Sequence, residues 1–357
     1  MVKFNNKSGL VAGLVFMMGM FGAFEARTGA SAQSLPTVQL YSSASIIEID
    51  QAALFLGGPL GFFEEEGVNV QFGSAAGSAA TLQLLASGQI EMGHIGMDVL
   101  ILAKATNPDL PVTAVYLHYR GNIYEIVVPE AGDIMEVKDL DGKNIGVANL
   151  ASGAIPSLRA TLSEAGLNPN TSVGLIPVGI GAQALATLNA GRVDALALFR
   201  AQHAAIEASG SPFRYFTREA PSTVIAVNTA FLERNPEAVA SVLRGVVKGS
   251  VFATLNPEQT VREHWGLYGR PQGLTEEEAM NRSKHILSRT VELWKEIDDD
   301  SVRWGEMSDA EWDTMQEFLI SQNLLSQKVP SEGLFTAGLI DDVNAVDLSD
   351  VTERARR

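Results

Sequence analysis

Small polar residues follow strand-like segments at two places in the chain. Residues 73–80 read GSAAGSAA after the alternating segment 68–72, and residues 149–153 read NLASG after the apolar segment 144–148. A helix that starts after such a loop exposes unpaired backbone N–H groups at its positive end, and small side chains let a ligand come close. This arrangement suits a polar or anionic head group, and helix capping with tight packing is the alternative explanation. The candidate ligand-binding residues are Ser74, Gly77 and Ser78 in the first loop and Asn149, Ser152 and Gly153 in the second.

Two segments of the sequence, residues 79–95 and residues 182–198, align with each other without a gap. In both, leucines three residues apart lead to a glycine that can end a helix, and an apolar strand-like segment follows. Any two βαβ units share part of this pattern, which is the alternative explanation. We predict two lobes of similar construction, one containing each copy. The aligned pairs are Ala79 with Ala182, Leu82 with Leu185, Leu85 with Leu188, Gly88 with Gly191, Ile90 with Val193 and Glu91 with Asp194.

The same alignment, continued past the strands, points to residues at the ends of the two sheets. Met97 aligns with Arg200, and Asp98 aligns with Ala201. Arg200 is a candidate for binding an anion or for bridging a cleft between the lobes. Asp98 is a candidate for orienting a ligand donor or for pairing with Arg200 when the lobes close. Ordinary surface charges are the alternative for both residues.

Motifs for nucleotides, metals and covalent catalysis are weak or missing. The loop at residues 73–80 lacks the Gly-Lys-Ser/Thr ending of a phosphate-binding loop. Residues 179–184 fit G-x-G-x-x-A, but Asp194 comes too early to be the acid that binds a ribose. The chain has no cysteine, no G-x-S-x-G and no H-E-x-x-H, and its five histidines are widely spaced. We therefore predict no cofactor, no metal site and no catalytic residues.

Strand-like and helix-like segments alternate from about residue 37 to residue 217, which predicts parallel sheets covered by helices. Strands are expected at residues 38–41, 68–72, 144–148 and 224–228. A helix is expected over residues 49–66, with Gly67 as its end, and another over residues 154–165. From residue 231 the pattern becomes mainly helical. The charged residues 347–357 are predicted to form a loose tail.

The first 32 residues have the pattern of a secretion signal. Two lysines precede an apolar run, and Ala30-Ser31-Ala32 predicts cleavage between Ala32 and Gln33. A membrane anchor is the alternative interpretation of this segment. Removal of residues 1–32 leaves 23 basic and 41 acidic residues, a net charge of −18. Such a surface repels nucleic acid and anionic lipid, so we expect neither as a partner.

Four segments of the chain, in order, resemble one family of solute-binding proteins of ABC importers. This family serves sulfonates, taurine, nitrate and thiamine-precursor pyrimidines, the last being its NMT1-like branch. The match covers about residues 37–230, and two later segments, 304–308 and 335–340, weakly resemble the tail of the thiamine-precursor branch. The resembling segments are GFFEEEGVNV at 61–70, ASGQIE at 86–91, DLDGKNIGV at 139–147 and AGRVDA at 190–195.

The resemblance implies a type II periplasmic binding protein. Its two α/β lobes have mixed, mainly parallel sheets and are joined by two hinge strands, with the ligand cleft between them. The chain is expected to cross near residues 124–129 and to return near residues 217–224. The first lobe is expected to contain residues 33–125 and 222–346, and the second lobe residues 126–221. The resemblance further implies a monomer in the periplasm that delivers a small molecule to a permease and its ATPase.

The resemblance adds the loop after the first strand and the end of another strand to the candidate ligand-binding residues: Ser43, Ser45, Glu48 and Tyr119. The serine and glycine loops together with Arg200 favour a sulfonate or a carboxylate. Glu48 and Asp98 favour an amino group or a pyrimidine instead. An aromatic acid is a further alternative, and the sequence does not decide among these ligands. The first hypothesis is a small organic anion, of the sulfonate or carboxylate class, captured by hinge closure, with the pyrimidine as the alternative. A secreted enzyme of the same architecture and a sensor domain that binds a membrane receptor are the alternatives from other functional classes.

Overall fold

The computed structural model describes residues 35–150, 152–218, 220–295 and 297–357. The predicted signal peptide and its cleavage site lie outside the described residues. The strands are β1 (Thr37–Ser42), β2 (Asn69–Ser74), β3 (Met92–Gly96), β4 (Val112–Tyr119), β5 (Tyr124–Pro129), β6 (Asn144–Val147), β7 (Gly174–Pro177), β8 (Ala195–Phe199), β9 (Phe213–Phe216) and β10 (Thr223–Asn228).

Helices follow most strands and make up the C-terminal third of the chain. Three short 3₁₀ turns, Ile49–Gln51, Val137–Leu140 and Ser331–Gly333, accompany them. The helices are α1 (Ala52–Phe55), α2 (Phe62–Glu65), α3 (Ser78–Ala86), α4 (Met97–Thr106), α5 (Ala154–Glu164), α6 (Ala182–Asn189), α7 (Arg200–Glu207), α8 (Thr229–Arg234), α9 (Pro236–Leu255), α10 (Pro257–Tyr268), α11 (Glu276–Val291), α12 (Asp309–Ser321), α13 (Ile340–Asn344) and α14 (Ser349–Ala355).

The strands form two five-stranded sheets of the same design. The first has the order β2-β1-β3-β10-β4, and the second has the order β7-β6-β8-β5-β9. In each sheet the first three strands are parallel and the last two pairings are antiparallel. The fourth strand of each sheet, β10 or β5, is the one that arrives from the other sheet. We call the first sheet with its helices the first lobe and the second sheet with α5, α6 and α7 the second lobe.

The internal repeat seen in the sequence corresponds to one helix and one strand in each lobe. Residues 79–95 contain most of α3 and β3, and residues 182–198 contain α6 and most of β8. Gly88 and Gly191, which align, follow the helices with φ of +70° and +64°. This left-handed conformation is cheap only for glycine, and it turns the chain from the helix back into the sheet. The predicted equivalence of the two segments is confirmed at this level.

Two segments differ from the prediction. The helix expected over residues 49–66 is broken into a 3₁₀ turn, α1 and α2, because the sequence Gly57-Gly58-Pro59 interrupts it. Gly57 lies against the ring of Phe63, which folds back over this break. The loose tail predicted for residues 347–357 is also wrong, since residues 349–355 form α14. Arg354 of α14 stacks on the ring of Phe62, 4.6 Å from its centroid, and holds this helix on the core.

The core of the first lobe is built around α9. This helix is long and apolar enough to cross a membrane, but 72% of its apolar window is buried inside the protein. Gly245 and Gly249 of α9 leave room for the ring of Phe63 and for the backbone of Ala53. Their small size lets α1 and α2 pack closely against α9, so α9 is the central core helix of this lobe.

Two short connectors join the lobes. The outward connector lies between Tyr119 and Tyr124, and the return connector lies between Phe216 and Thr223. Residues 124–129, expected at the first crossing, already form β5 of the second sheet. Ser222 donates its backbone N–H to the carbonyl of Tyr119 at 3.0 Å, so the two connectors run side by side. Any rotation of one lobe against the other has to occur about this pair.

Candidate functional site

The site is organised by two strand-to-helix junctions, one in each lobe. Gly96 precedes α4 with φ −67° and ψ 139°, and Phe199 precedes α7 with φ −72° and ψ 145°. The first backbone N–H of each helix is donated to a connector. Met97 bonds the carbonyl of Ser222 at 3.0 Å, and Arg200 bonds the carbonyl of Ile123 at 2.9 Å. The two positions paired by the sequence alignment therefore occupy equivalent places beside the hinge.

In the first lobe, three loops at the ends of β1, β2 and β3 are hydrogen-bonded to one another. Gly77 donates its N–H to the carbonyl of Ser43 at 3.0 Å, with φ of +97°. The hydroxyl of Ser78 accepts the N–H of Gly96 at 3.0 Å. These bonds bring Ser43, Gly77 and Ser78 together at the start of α3. Much of the hydrogen-bonding capacity of these serine and glycine residues is therefore used to hold the three loops in place.

Asp98 lies in the first turn of α4, folded back over Gly96. A Cβ added to Gly96 would overlap a carboxylate oxygen of Asp98, so the glycine makes room for this side chain. Burial is the main cause that raises the pKa of Asp98, and the backbone N–H groups of Asp98 and Val99 oppose this rise. The Asp98 carboxylate also contributes, after burial, to the raised pKa of Tyr124. The charge of Asp98 in the first lobe is therefore felt at Tyr124 in the second lobe.

In the second lobe, an aromatic pair stands beside the start of α5. The rings of Tyr124 and Phe199 lie 4.9 Å apart with an interplanar angle of 34°. A Cβ on Gly153 would overlap the hydroxyl of Tyr124, so only glycine fits above this ring. Phe199 is 38% exposed, which is unusual for a phenylalanine at a strand end. The second lobe presents an aromatic surface where the first lobe presents the carboxyl group of Asp98.

The loop before α5 holds the other predicted residues of the second lobe. Ser152 donates its backbone N–H to the carbonyl of Asn149 at 3.1 Å, and its hydroxyl accepts the N–H of Ala154 at 3.3 Å. Gly153 and Asn149 are exposed. These three residues lie together beside Tyr124, at the end of β6.

A second carboxyl group, Asp50, lies beside Tyr119 in the first lobe. Tyr119 is buried, donates its hydroxyl to the carbonyl of Asp50 at 2.9 Å and stacks on His118 at 4.5 Å. Burial first, and then the negative charge of Glu48, raise the pKa of Asp50 to about 6. Tyr119 thus supports the 3₁₀ turn that contains Asp50.

Arg200 points into a cluster of charged residues between α7 and α11. It contacts the fully buried carboxylate of Glu125 at 3.0 Å and that of Glu292 at 2.6 Å. Arg289 contacts the same two carboxylates at 2.8 and 2.6 Å. Two carboxylates therefore balance two guanidinium groups. Arg200 pairs with these residues and not with Asp98.

The remaining predicted residues differ in exposure. The side chain of Met97 is fully buried in the first-lobe core. Ser45 and Glu48 are exposed in the loop after β1, and Ser74 is exposed at the end of β2.

Several residues of the site were not found from the sequence. They are Asp50, Gly96, Tyr124 and Phe199. Gly96 and Phe199 align with each other directly before Met97 and Arg200, so the alignment that identified Met97 and Arg200 already contained them. Tyr124 and Asp50 carry no comparable signal, because their place depends on contacts across the hinge and between distant loops.

Among the described residues, no group of three or more His, Asp or Glu side chains could hold a metal ion. The chemistry that this site offers is hydrogen bonding to two carboxyl groups, stacking on aromatic rings and backbone N–H donors at helix starts.

Comparison with proteins of known structure shows the same fold. The periplasmic aliphatic sulphonate binding protein SsuA from Escherichia coli matches with a TM-score of 0.66 and 16% identity, over 85% of this chain and 92% of that chain. The protein is therefore an α/β protein with the type II periplasmic binding fold, with two lobes of mixed sheets.

Two curated proteins are similar in sequence. A formylaminopyrimidine-binding protein of Halalkalibacterium halodurans is 24% identical over 285 residues, which are 78% of this chain and 83% of that protein. A 4-amino-5-hydroxymethyl-2-methylpyrimidine phosphate synthase of Aspergillus parasiticus is 26% identical over 238 residues, 60% of this chain and 66% of that protein. The family model described as NMT1/THI5 like matches residues 48–260, more than half of the sequence, and the chain belongs to this family.

Proposed function

We propose that this protein is the periplasmic ligand-binding component of an ABC importer and that it captures a small amino-substituted heterocycle of the pyrimidine type. Membership of the family, the fold and the similarity to a formylaminopyrimidine-binding protein support the proposal. The predicted signal peptide agrees with a periplasmic location, from which the protein would deliver its ligand to a permease with its ATPase. We expect it to act as a monomer.

The choice of ligand rests on the Asp98 carboxyl group in the first lobe and the rings of Tyr124 and Phe199 in the second, with the Asp98 charge acting on Tyr124. A planar ring can stack on Tyr124 and Phe199, with a contribution of about 0.5–1.5 kcal/mol. A ring amino group can then donate a hydrogen bond to the Asp98 carboxylate, and such a bond contributes about 1.5–3 kcal/mol. Because the two features belong to different lobes, a ligand that uses both favours the closed arrangement.

A small organic anion, such as a sulfonate or a carboxylate, is the second candidate ligand. The starts of α3 and α5 favour it, because their backbone N–H groups lie beside Ser78 and Gly153. The balanced charge around Arg200 disfavours it, since Glu125 and Glu292 already neutralise this guanidinium group. The heterocycle is therefore the better match to the described residues.

Two measurements test the proposal. Mass spectrometry of the purified protein identifies any compound that remains bound. A thermal-shift assay with 4-amino-5-hydroxymethyl-2-methylpyrimidine and with taurine compares the two ligand classes. A true ligand at 100 times its Kd stabilises the protein by about 2.7 kcal/mol. Stabilisation by taurine alone would replace the heterocycle with the anion as the ligand class.

The same experiment separates binding from catalysis. The ligand is incubated with the protein and then analysed for chemical change. Recovery of the unchanged compound is the result expected of a transport component. Turnover at a rate that depends on protein concentration would favour a secreted enzyme of the same fold.

A further inference from the structure

Helix α11 belongs to the first lobe but lies against the second lobe. Ile286 and Leu287 of α11 are buried in the first-lobe core, and the same cluster includes Ala204 of α7 from the second lobe. Just after α11, the carbonyl of Leu293 accepts the N–H of Arg120 in the outward connector at 2.7 Å. The end of α11 is therefore fixed beside the hinge, and the helix extends from there along α7.

The contacts between α7 and α11 form two groups at different distances from the hinge. The inner group contains Glu125, Arg200, Arg289 and Glu292, whose ion pairs measure 2.6 to 3.0 Å. Arg200 is the first residue of α7 and bonds the outward connector through its N–H. The inner group therefore lies at the pivot, and a rotation of the lobes displaces it little.

The outer group contains Glu207, Tyr215 and His285. Glu207 accepts hydrogen bonds from the hydroxyl of Tyr215 at 2.6 Å and from Nε2 of His285 at 2.7 Å. Tyr215 and Glu207 belong to the second lobe and His285 to α11. Seven residues of helix place Glu207 about 10 Å further from the connector than Arg200. The two groups adjoin, since the Arg289 guanidinium stacks on the Tyr215 ring at 4.2 Å, and a rotation about the hinge displaces the outer Glu207 more than Arg200.

We propose that the contact of His285 with Glu207 is a latch that holds the two lobes in the arrangement of this structure. Tyr215 fixes the carboxylate of Glu207 in place for this contact, and the inner group acts as the pivot. Rotation of the lobes separates His285 from Glu207 and leaves the inner ion pairs closed. The latch rests on the hinge motion of the proposed function, and it biases that motion without touching the ligand.

The chain has no cysteine, so two introduced cysteines can carry spin labels without interference. Gln83→Cys in α3 and Ala186→Cys in α6 are exposed positions that align in the two lobes. Pulsed electron paramagnetic resonance then gives the distribution of distances between the lobes in the ligand-free protein. We expect His285→Ala to add a second distance maximum or to broaden the distribution, relative to the labelled parent. An unchanged distribution in a folded His285→Ala variant would overturn the proposal.

Two further variants keep the test decisive. Glu258→Gln removes an exposed ion pair within α10, at 2.8 Å from Arg262, and should leave the distribution unchanged. Tyr215→Phe removes only the hydroxyl that fixes Glu207, and it should broaden the distribution less than His285→Ala does. It replaces His285→Ala as the test if circular dichroism shows that the latter is unfolded. Because every measurement is made without ligand, a failure of the heterocycle to bind would contradict the proposed function and leave the latch to be judged separately.

Discussion

The two strand-to-helix junctions beside the hinge have nearly the same backbone and opposite chemistry. In the first lobe the sequence Gly96-Met97-Asp98 places a carboxyl group over a glycine. In the second lobe the aligned sequence Phe199-Arg200-Ala201 places an exposed ring at the glycine position and a cation at the methionine position. The cation is turned away from Asp98 towards Glu125 and Glu292. The repeated backbone therefore fixes the position from which each side chain extends, while the residues around it determine the direction in which it points.

The largest expected effect concerns Glu125, the fully buried carboxylate that pairs with Arg200 at the junction of the second lobe. We expect Glu125→Ala to lower the free energy of unfolding by about 3–5 kcal/mol, because it leaves Arg200 and Arg289 without their buried partner. Urea unfolding monitored by circular dichroism measures this loss. Glu258→Ala removes an exposed pair with Arg262 and serves as the control, with little change expected. A loss below about 1 kcal/mol for Glu125→Ala would mean that the cluster is not tightly coupled.

The next effect compares two aligned, buried strand positions by their response to acid. His94 of β3 is buried and aligns with the buried Ala197 of β8. Burial lowers the pKa of His94 to about 4, from an ordinary value of 6.5. The unfolded chain therefore binds a proton more readily, and stability falls as the pH drops from 6.5 towards 4. Between pH 7 and pH 4.5, we expect the free energy of unfolding to fall by about 2–3 kcal/mol less in His94→Gln than in the parent protein.

Urea unfolding at the two pH values measures this difference. The raised pKa of Asp50 acts in the opposite sense, because the folded protein binds its proton more readily between pH 3.8 and about 6. This contribution is common to the parent and the variant, so the comparison cancels it. Equal acid sensitivity of the two proteins would show that His94 is not the cause.

A smaller effect, on the binding of ligand, is expected from replacing the Asp98 carboxyl group of the first lobe. Asp98→Asn should weaken binding of the aminopyrimidine by about 1.5–3 kcal/mol, because the ligand amino group loses a charged acceptor. Isothermal titration calorimetry measures the change in Kd. Glu258→Gln, at an exposed position of α10, is the carboxyl control. Equal effects of the two variants would remove Asp98 from the proposed site.

The smallest effect, also on the binding of ligand, is expected from replacing the Phe199 ring of the second lobe. Phe199→Leu keeps an apolar side chain but removes the ring beside Tyr124, and we expect binding of a planar ligand to weaken by about 0.5–1.5 kcal/mol. The same titration measures it. Stronger binding of the heterocycle by the variant would contradict stacking at this position.

The sequence predicted the repeated lobes and the place of the junctions, because helix stripes, glycine stops and short strands are local patterns. It also identified Met97 and Arg200 as equivalent positions. It did not predict the direction of the Arg200 side chain, since Glu292 is 92 residues away and lies just after α11. It also missed the break at Gly57-Gly58-Pro59, where a continuous helix was predicted over breaker residues. Contacts between distant segments, such as that of Arg289 with Glu125, left no periodic signal.

The pair of hydrogen bonds from Met97 and Arg200 to the connectors has a consequence for how the sequence can vary. Each of the two helix starts is tied by its first amide to a connector that joins the lobes. A single residue inserted into either connector would shift it past its helix start and would break this hydrogen bond. We therefore expect insertions and deletions to be tolerated in the outer loops of both lobes and to be excluded from these two short crossings.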